Sequence, residues 1–420
     1  MRYAKYKPTG IAWLPEVPEG WEMVRCKCLF TERIEKSETG IEEPLSMSQK
    51  MGIVPTKIVD VVPNAASSYV GAKKVYKGDI VFNKLKAHLG VFAVSSYDGL
   101  VSPDYAVYES TGLLNSKLIE YLFHTALYIA EFKRRSRGVA AGFMRLYSRE
   151  LFAIPCVLSP LPTQRAIVAY LDEKCGKVDR LVVAKEKEAA LLKELKQSMI
   201  AEAVTRGVRP KRRLVPSGIP WLPEVPEGWE VKTLRQFLKM VSRKGFPEKQ
   251  LLSVTREQGV VVRNVESKEE NHNFIPEDLS NYKLVEVGDF AINKMKSWQG
   301  SYGVSEHEGI VSPAYYICKL SGVDRSYFSA AIRSRPYVSF FARFSKGIRV
   351  DQWDLSPIAL KEIPFLLPPL DEQREIVAHI EARAAKIDAA VAGLEREVAA
   401  LKEYKQRLIA DVVTGQRKVA

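Results

Sequence analysis

The sequence predicts a mixed α+β chain. Two similar α/β globules are joined by two long antiparallel coiled-coil helices, in a pseudo-two-fold, circular arrangement. Three observations predict it. At 420 residues the chain is too long for one ordinary core. It is written twice, at an offset that stays between 208 and 210. Each copy closes with apolar residues spaced by seven, the signature of a coiled coil.

The duplication is plainest in the decapeptide WLPEVPEGWE, which begins at Trp13 and again, unchanged, at Trp221. Further on, GDIVFNKLKAHLGVF from Gly78 matches GDFAINKMKSWQGSY from Gly288. LLKELKQSMIAEAVT from Leu191 matches ALKEYKQRLIADVVT from Ala400. A period of half the chain means two copies of one domain-plus-helix unit, not a solenoid of short repeats. Like units usually pack about an approximate two-fold axis.

In order along the chain, residues 1–20 form an N-terminal strap and 21–160 the first globule. Residues 161–207 are a central helix and 208–228 a second strap. The second globule is 229–368, and a C-terminal helix covers 369–416. The globules alternate apolar and polar residues between Gly and Asp turns, as strands do. From Asn115 a segment with helical spacing is mixed in. In the C-terminal helix Val377, Ala384, Val391 and Val398 form one row, and Ile380, Ile387, Leu394, Leu401 and Leu408 the other. In the central helix Leu171, Val178, Leu192 and Met199 hold one row, which Lys185 interrupts. These two seams are expected to pack on each other. Joined tail to head, the chain's two ends rebuild its centre, so the first strap is expected to dock where the last helix stops. Its prolines favour an extended path and its tryptophans supply anchoring area.

Sixty-three basic against 50 acidic residues give a net charge of +13, which points to polyanionic partners, nucleic acid first. No apolar run is long enough to span a membrane, and the N-terminus lacks the apolar stretch of a secretory signal. Five scattered cysteines suit a reducing compartment, hence a cytoplasmic expectation.

A β-rich domain entered through PEGWE, carrying GD…G…VSP and leaving through PPLDEQREIVAHI, repeated with a heptad helix after each copy, resembles the specificity subunit of Type I DNA restriction–modification systems. The first copy departs at one point, where Pro162-Thr163-Gln164 replaces Asp371-Glu372-Gln373. The resemblance implies that each globule is a target recognition domain reading one half of a split, asymmetric site in double-stranded DNA. It implies helices that set the unread gap and dock two methyltransferase subunits, with motor–nuclease subunits completing the restriction complex. S-adenosylmethionine, ATP and Mg²⁺ would belong to those partners, and no cofactor or metal to this chain.

The residues themselves offer little catalysis. There is no phosphate loop, no dinucleotide-binding glycine motif, no Asn-Pro-Pro-aromatic methyltransferase signature and no close histidine pair. Glu230-Val231-Lys232 has the spacing of some nuclease sites, but its twin, Glu22-Met23-Val24, lacks the lysine, and a strand edge explains it as well. An enzyme with an unrecognised site and a protein-only coiled-coil scaffold remain the alternatives.

Binding residues are better marked. Asn83, Lys84 and Lys86 return as Asn293, Lys294 and Lys296. On a strand the two lysines of each set would share a face and suit phosphate contacts; the alternative is a solvated edge. Parts that differ between the copies are the ones able to distinguish two half-sites. Three stretches differ beside shared sequence: Ser48-Gln49 against Thr255-Arg256, the loop of His88 against that of Trp298-Gln299, and Phe143-Met144-Arg145 against Gln352-Trp353-Asp354. Gln49 suits adenine and Arg256 guanine in a major groove. Neutral divergence of surface loops is the alternative for any one of them.

Overall fold

The computed structural model describes residues 2–49, 51–59, 68–138, 144–265, 275–347 and 353–419. The chain divides into two compact units, one made of Met1–Lys185 with Arg396–Ala420, the other of Glu186–Glu395. Both long helices therefore contribute to both units.

Each unit is built on a four-stranded antiparallel sheet. In the first unit the order is Phe30–Arg33, Tyr105–Ser110, Ile80–Asn83, Phe92–Val94; in the second it is Leu238–Val241, Tyr316–Leu320, Phe290–Ile292, Tyr302–Val304. The central strand shows why it forms. Ile80 and Phe82 point to one face and Val81 to the other, and all three are buried, so this strand is covered on both sides. On the Phe82 side lies an aromatic core in which Phe82 stacks on Phe92 at 4.7 Å and meets Phe132 edge-on at 5.9 Å. The twin core gathers Phe290, Tyr302, Phe328 and Phe341. On the Val81 side Leu45, Ile53, Val75, Ala93, Val101 and Val107 form a smaller aliphatic cluster under the hairpin of Leu45–Ser48 and Gly52–Pro55.

The helical segment that begins at Asn115 is two helices, Ser116–Phe123 and Ala126–Arg135. Asn115 caps the first, its side chain accepting from the backbone of Lys117 and Leu118. Thr125 breaks the run. Its backbone is extended, with ψ at 149°, and its hydroxyl donates to the Leu122 carbonyl. The break folds the second helix back, so that Tyr128 and Phe132 reach the same core as Leu122 and Phe123.

The straps are hairpins, not single extended segments. Tyr6–Ile11 pairs with Leu14–Pro18, and Leu214–Ile219 with Leu222–Pro226, each with a register shift midway. Leu14, Val17 and Trp21 of the first repeat are buried with Leu408, Ile409, Val412 and Val413 from the end of the C-terminal helix. Tyr6 donates from its hydroxyl to the Gly415 carbonyl at 2.8 Å, and Gln416 donates to the Glu16 carbonyl. The head of the chain thus closes on its tail. In the second unit Val225 and Trp229 pack with Met199, Ala203 and Val204 in the same way.

The long helices span Leu161–Arg206 and Leu370–Val413. They run antiparallel. In the first unit Lys405 pairs with Asp179, and Lys185 with Glu397; in the second Lys193 pairs with Glu395, and Lys196 with Asp388. Every named row residue of the C-terminal helix is wholly or partly buried, from Val377 to Leu408, while most of its neighbours are exposed. On the central helix Leu171, Val178 and Met199 are buried and Leu192 partly so. Lys185 does not break the seam. It lies within it, with 28% of its side chain exposed, and sends its ammonium out to Glu397. A second row, Cys175, Val182, Ala189, Lys196 and Ala203, completes the central helix's stripe, and Lys196 likewise reaches out to Asp388. Such pairs stabilise little, on the order of 0–1 kcal/mol each; lysines at seam positions serve register instead.

The glutamine of each helix start fixes helix to globule. Gln164 is fully buried, accepts from the Asn115 backbone at 2.8 Å, and donates to the carbonyls of Leu113 and Ser159. Gln373 accepts from the Asp324 backbone and donates to the Pro368 carbonyl. Either glutamine replaced by alanine leaves these groups unpaired, so thermal unfolding of Q164A and Q373A should each show a loss of about 1–3 kcal/mol.

Candidate nucleic-acid interface

The Asn-Lys-x-Lys segment is not a strand. The strand stops at Asn83 in one unit and Ile292 in the other, and the lysines lie on a turn leading into short 3-10 segments, Ala87–Leu89 and Ser297–Gln299. The turn closes through the asparagine carbonyl, which accepts from Lys86 at 2.9 Å and from Lys296 at 3.0 Å. This corrects the shared-face geometry expected for the lysines. It also engages both asparagines within the fold. Asn293 is only 6% exposed and its amide donates to the Tyr315 hydroxyl, while Asn83 Oδ1 accepts from the Leu85 backbone. Lys86 and Lys296 are exposed, whereas Lys294 pairs with Asp354 at 3.1 Å, which holds its ammonium above the ordinary lysine value.

The three variable stretches of each copy converge. In the first unit Gln49 closes the distance between two of them, its amide donating to the Leu89 carbonyl at 3.2 Å. The third joins through the Leu146 backbone, which donates to the Lys84 carbonyl. Between the first two opens a cavity of about 760 Å³ of mixed lining, polar at Gln49, Asn83 and Lys86 and apolar at Leu45, Leu89 and Val91. In the second unit Leu355 makes the twin bond to the Lys294 carbonyl, and Trp298 meets Trp353 with ring centres 5.2 Å apart. The link between the first two stretches is different here. Arg333, half-buried, donates to the carbonyls of Arg256 and Glu257 at 2.8 and 2.7 Å, and to that of Tyr302 at 2.7 Å. Burial opposes its charge and pulls its pKa down, and the carbonyl oxygens compensate.

Individual side chains are disposed unequally. Ser48 and Thr255 spend their hydroxyls on the hairpin turns: Thr255 accepts from the Gln258 backbone at 3.1 Å, and Ser48 accepts from that of Met51 at 3.4 Å. The Arg256 side chain is 64% exposed and pairs with its neighbour Glu257. His88 and Trp298 occupy the same place in the two units. Each has a buried ring nitrogen, Nδ1 and Nε1, with no hydrogen-bond partner among the described residues. Gln299 and Arg145 are partly exposed. Phe143 and Gln352 lie outside the described residues. Arg333 carries no mark in the sequence; its twin is His124, which bonds the Glu120 and Gly90 carbonyls and so holds only the 3-10 loop.

Glu230 and Lys232 pair with each other at 2.7 Å on the strand Glu230–Thr233, which is bonded to Pro364–Leu367. Among the described residues no group of three or more His, Cys, Asp or Glu side chains could hold a metal. No helix there is long and apolar enough to cross a membrane.

No protein-family model matches the chain. Curated relatives do. A Methanocaldococcus jannaschii chain provisionally named the MjaX Type I restriction enzyme specificity subunit is 23% identical, covering 99% of this chain and 97% of the relative. The MjaVIII Type I specificity subunit of the same organism is 23% identical over 71% of this chain and 70% of its own length. The EcoDI specificity subunit of Escherichia coli matches 45% of this chain at the same identity. Among solved structures, a chain from work on complex assembly and conformational transition of the Type I R-M system superposes with a TM-score of 0.68 at 15% identity, covering 96% of this chain and 99% of that one. The duplicated fold, the head-to-tail closure and these relatives converge: the chain is a homologue of the specificity subunits of Type I restriction–modification systems.

Proposed function

We propose that each unit reads one half of a split, asymmetric double-stranded DNA site, that the paired helices set the unread gap and dock two methyltransferase subunits, and that this chain performs no catalysis. Motor–nuclease subunits complete the restriction complex, and S-adenosylmethionine, ATP and Mg²⁺ are bound by the partners. One observation carries the reading. In each unit the three stretches that differ between the copies converge: a backbone bond common to both copies ties the third to the lysine turn, and a side-chain bond that differs between them ties the first to the second. A constant frame carrying variable contacts suits two unlike sequences read by one mechanism. The net charge of +13 supports a polyanionic ligand.

The test is methylation mapping in a host carrying this subunit with its methyltransferase partner. A few fixed bases on either side of an unread spacer is the expected result; one continuous motif overturns the proposal. Within the complex, Lys296→Ala should weaken binding to all sequences alike and reduce the salt slope by about 1. Arg256→Ala should instead relax a single base position, by about 1–3 kcal/mol. Competition binding across a salt series separates the two.

A further inference from the structure

The third variable stretch reverses its charge between the units while its backbone stays fixed. Arg145 and Asp354 are twins. Each is tied across its loop by a pair of backbone hydrogen bonds, Arg145 to Arg137 and Asp354 to Lys346, at 2.8–3.0 Å. The following residue then bonds the carbonyl of the first lysine on the turn, Lys84 or Lys294. The frame therefore sets both residues at the same backbone position next to that lysine. In the second unit the Asp354 carboxylate takes Lys294 at 3.1 Å and keeps 48% of its surface exposed. In the first unit no carboxylate pairs with the twin lysine among the described residues. Arg145 and Lys84 have no ion pair among the described residues, and the nearest acid of the segment, Glu150, is taken by Arg137 at 2.9 Å. The surroundings differ in kind as well. Asp354 adjoins the Trp298–Trp353 pair, whose indole Nε1 at Trp298 is unpaired, while Arg145 has Met144 and His88 at the corresponding positions.

From this we infer that Arg145 and Asp354 are specificity-determining residues of opposite hydrogen-bond polarity. Arg145 donates to a guanine edge in the half-site of the first unit, and Asp354 accepts from a cytosine amino group in that of the second. The inference rests on the split-site reading above. The chemistry follows from the groups. A guanidinium fork matches the two acceptors of guanine, O6 and N7, and a carboxylate matches the N4 amino group of cytosine. Lys294 then has a second duty, positioning the carboxylate and screening it from the phosphates. An unscreened carboxylate near a phosphate would oppose binding at any sequence.

The experiment uses the complete complex of this chain with its methyltransferase partner and maps the methylated motif for wild type, D354N and R145Q. An asparagine or glutamine amide suits adenine rather than cytosine or guanine. D354N should therefore shift one cytosine position of one half-site towards adenine, with a roughly 10–100-fold loss of preference, and leave the other half-site intact. R145Q should shift one guanine of the other half-site in the same direction. The untouched half-site in each variant reports that the complex is folded and assembled. If either variant weakens all sequences alike, or releases a position that was never cytosine (D354N) or guanine (R145Q), the inference is overturned. A continuous wild-type motif would instead bring down the split-site reading itself.

Discussion

Replacing Gly415 with alanine should lower the stability of the first unit by about 2–4 kcal/mol, read as a drop of several degrees in its thermal midpoint. Gly415 follows the C-terminal helix with φ at +77°, a conformation that costs a side-chain-bearing residue about 1 kcal/mol or more. A Cβ there would lie 2.6 Å from Pro18 Cγ and 3.1 Å from the Trp21 ring. Neither the proline ring nor the buried indole can retreat, because both belong to the hairpin that seals the helix end. The twin glycine, Gly207 with φ at +76°, is the control. Its Cβ would meet Trp229 at 3.2 Å and the carboxylate end of Glu372, buried and paired with Arg212, at 2.8 Å, both looser approaches than the one to the rigid Pro18 ring. G207A should therefore cost less than G415A. Equal effects would mean that backbone strain alone, and not the head-to-tail closure, sets the cost.

Replacing Arg333 with alanine should reduce discrimination within one half-site by about 10–100-fold and leave the other half-site unaffected. The guanidinium supplies donors to the carbonyls of Arg256, Glu257 and Tyr302, and charged hydrogen bonds of this kind stabilise by about 1.5–3 kcal/mol each, not additively. Without them the hairpin carrying Arg256 is no longer fastened to the loop carrying Trp298. Arg333 touches no base in this account. It positions residues that do, so the expected signature is lost discrimination with little change in salt slope. R333K keeps the charge but not the planar fork and should recover only part of the discrimination. Competition binding with DNAs mismatched in one half-site at a time checks both. A uniform loss of affinity across all sequences would show that Arg333 acts on DNA phosphates or on global stability instead.

The candidate interface was only partly legible in the residues. Comparing the two copies picked out three stretches that the fold brings together, because divergence against a repeated frame is visible in one sequence. Their chemistry was not visible. An alternating Lys-x-Lys reads the same on a turn as on a strand, so the sequence does not distinguish the two. Nothing local in the sequence signals that Asn293 is buried and bonded to the Tyr315 hydroxyl. Ser48 and Thr255 have the side chains of readers but close their own hairpins. Arg333 was invisible because its partners are backbone carbonyls on segments more than 30 and 70 residues away in sequence, and carbonyls leave no trace in a sequence.

The long helices show the same division. The C-terminal helix was read from its valine, isoleucine and leucine rows, since heptad spacing is local. Half of the central helix's stripe escaped notice because Cys175, Ala189 and Ala203 are weak apolar signals and Lys185 and Lys196 look like interruptions. Only the facing helix turns those lysines into seam residues, by offering Glu397 and Asp388 to their ammonium groups.

By itself, then, the sequence determined the duplication, the alternation of globule and helix, and the closure of tail on head. All three are patterns of spacing and identity that no partner is needed to express. The tertiary structure alone decided which polar side chains remain free for a ligand. That depends on burial and on backbone groups brought together from distant segments, as with Asn293 withdrawn, Arg333 consumed in fastening loops, and Asp354 set beside Lys294 where its twin presents an arginine.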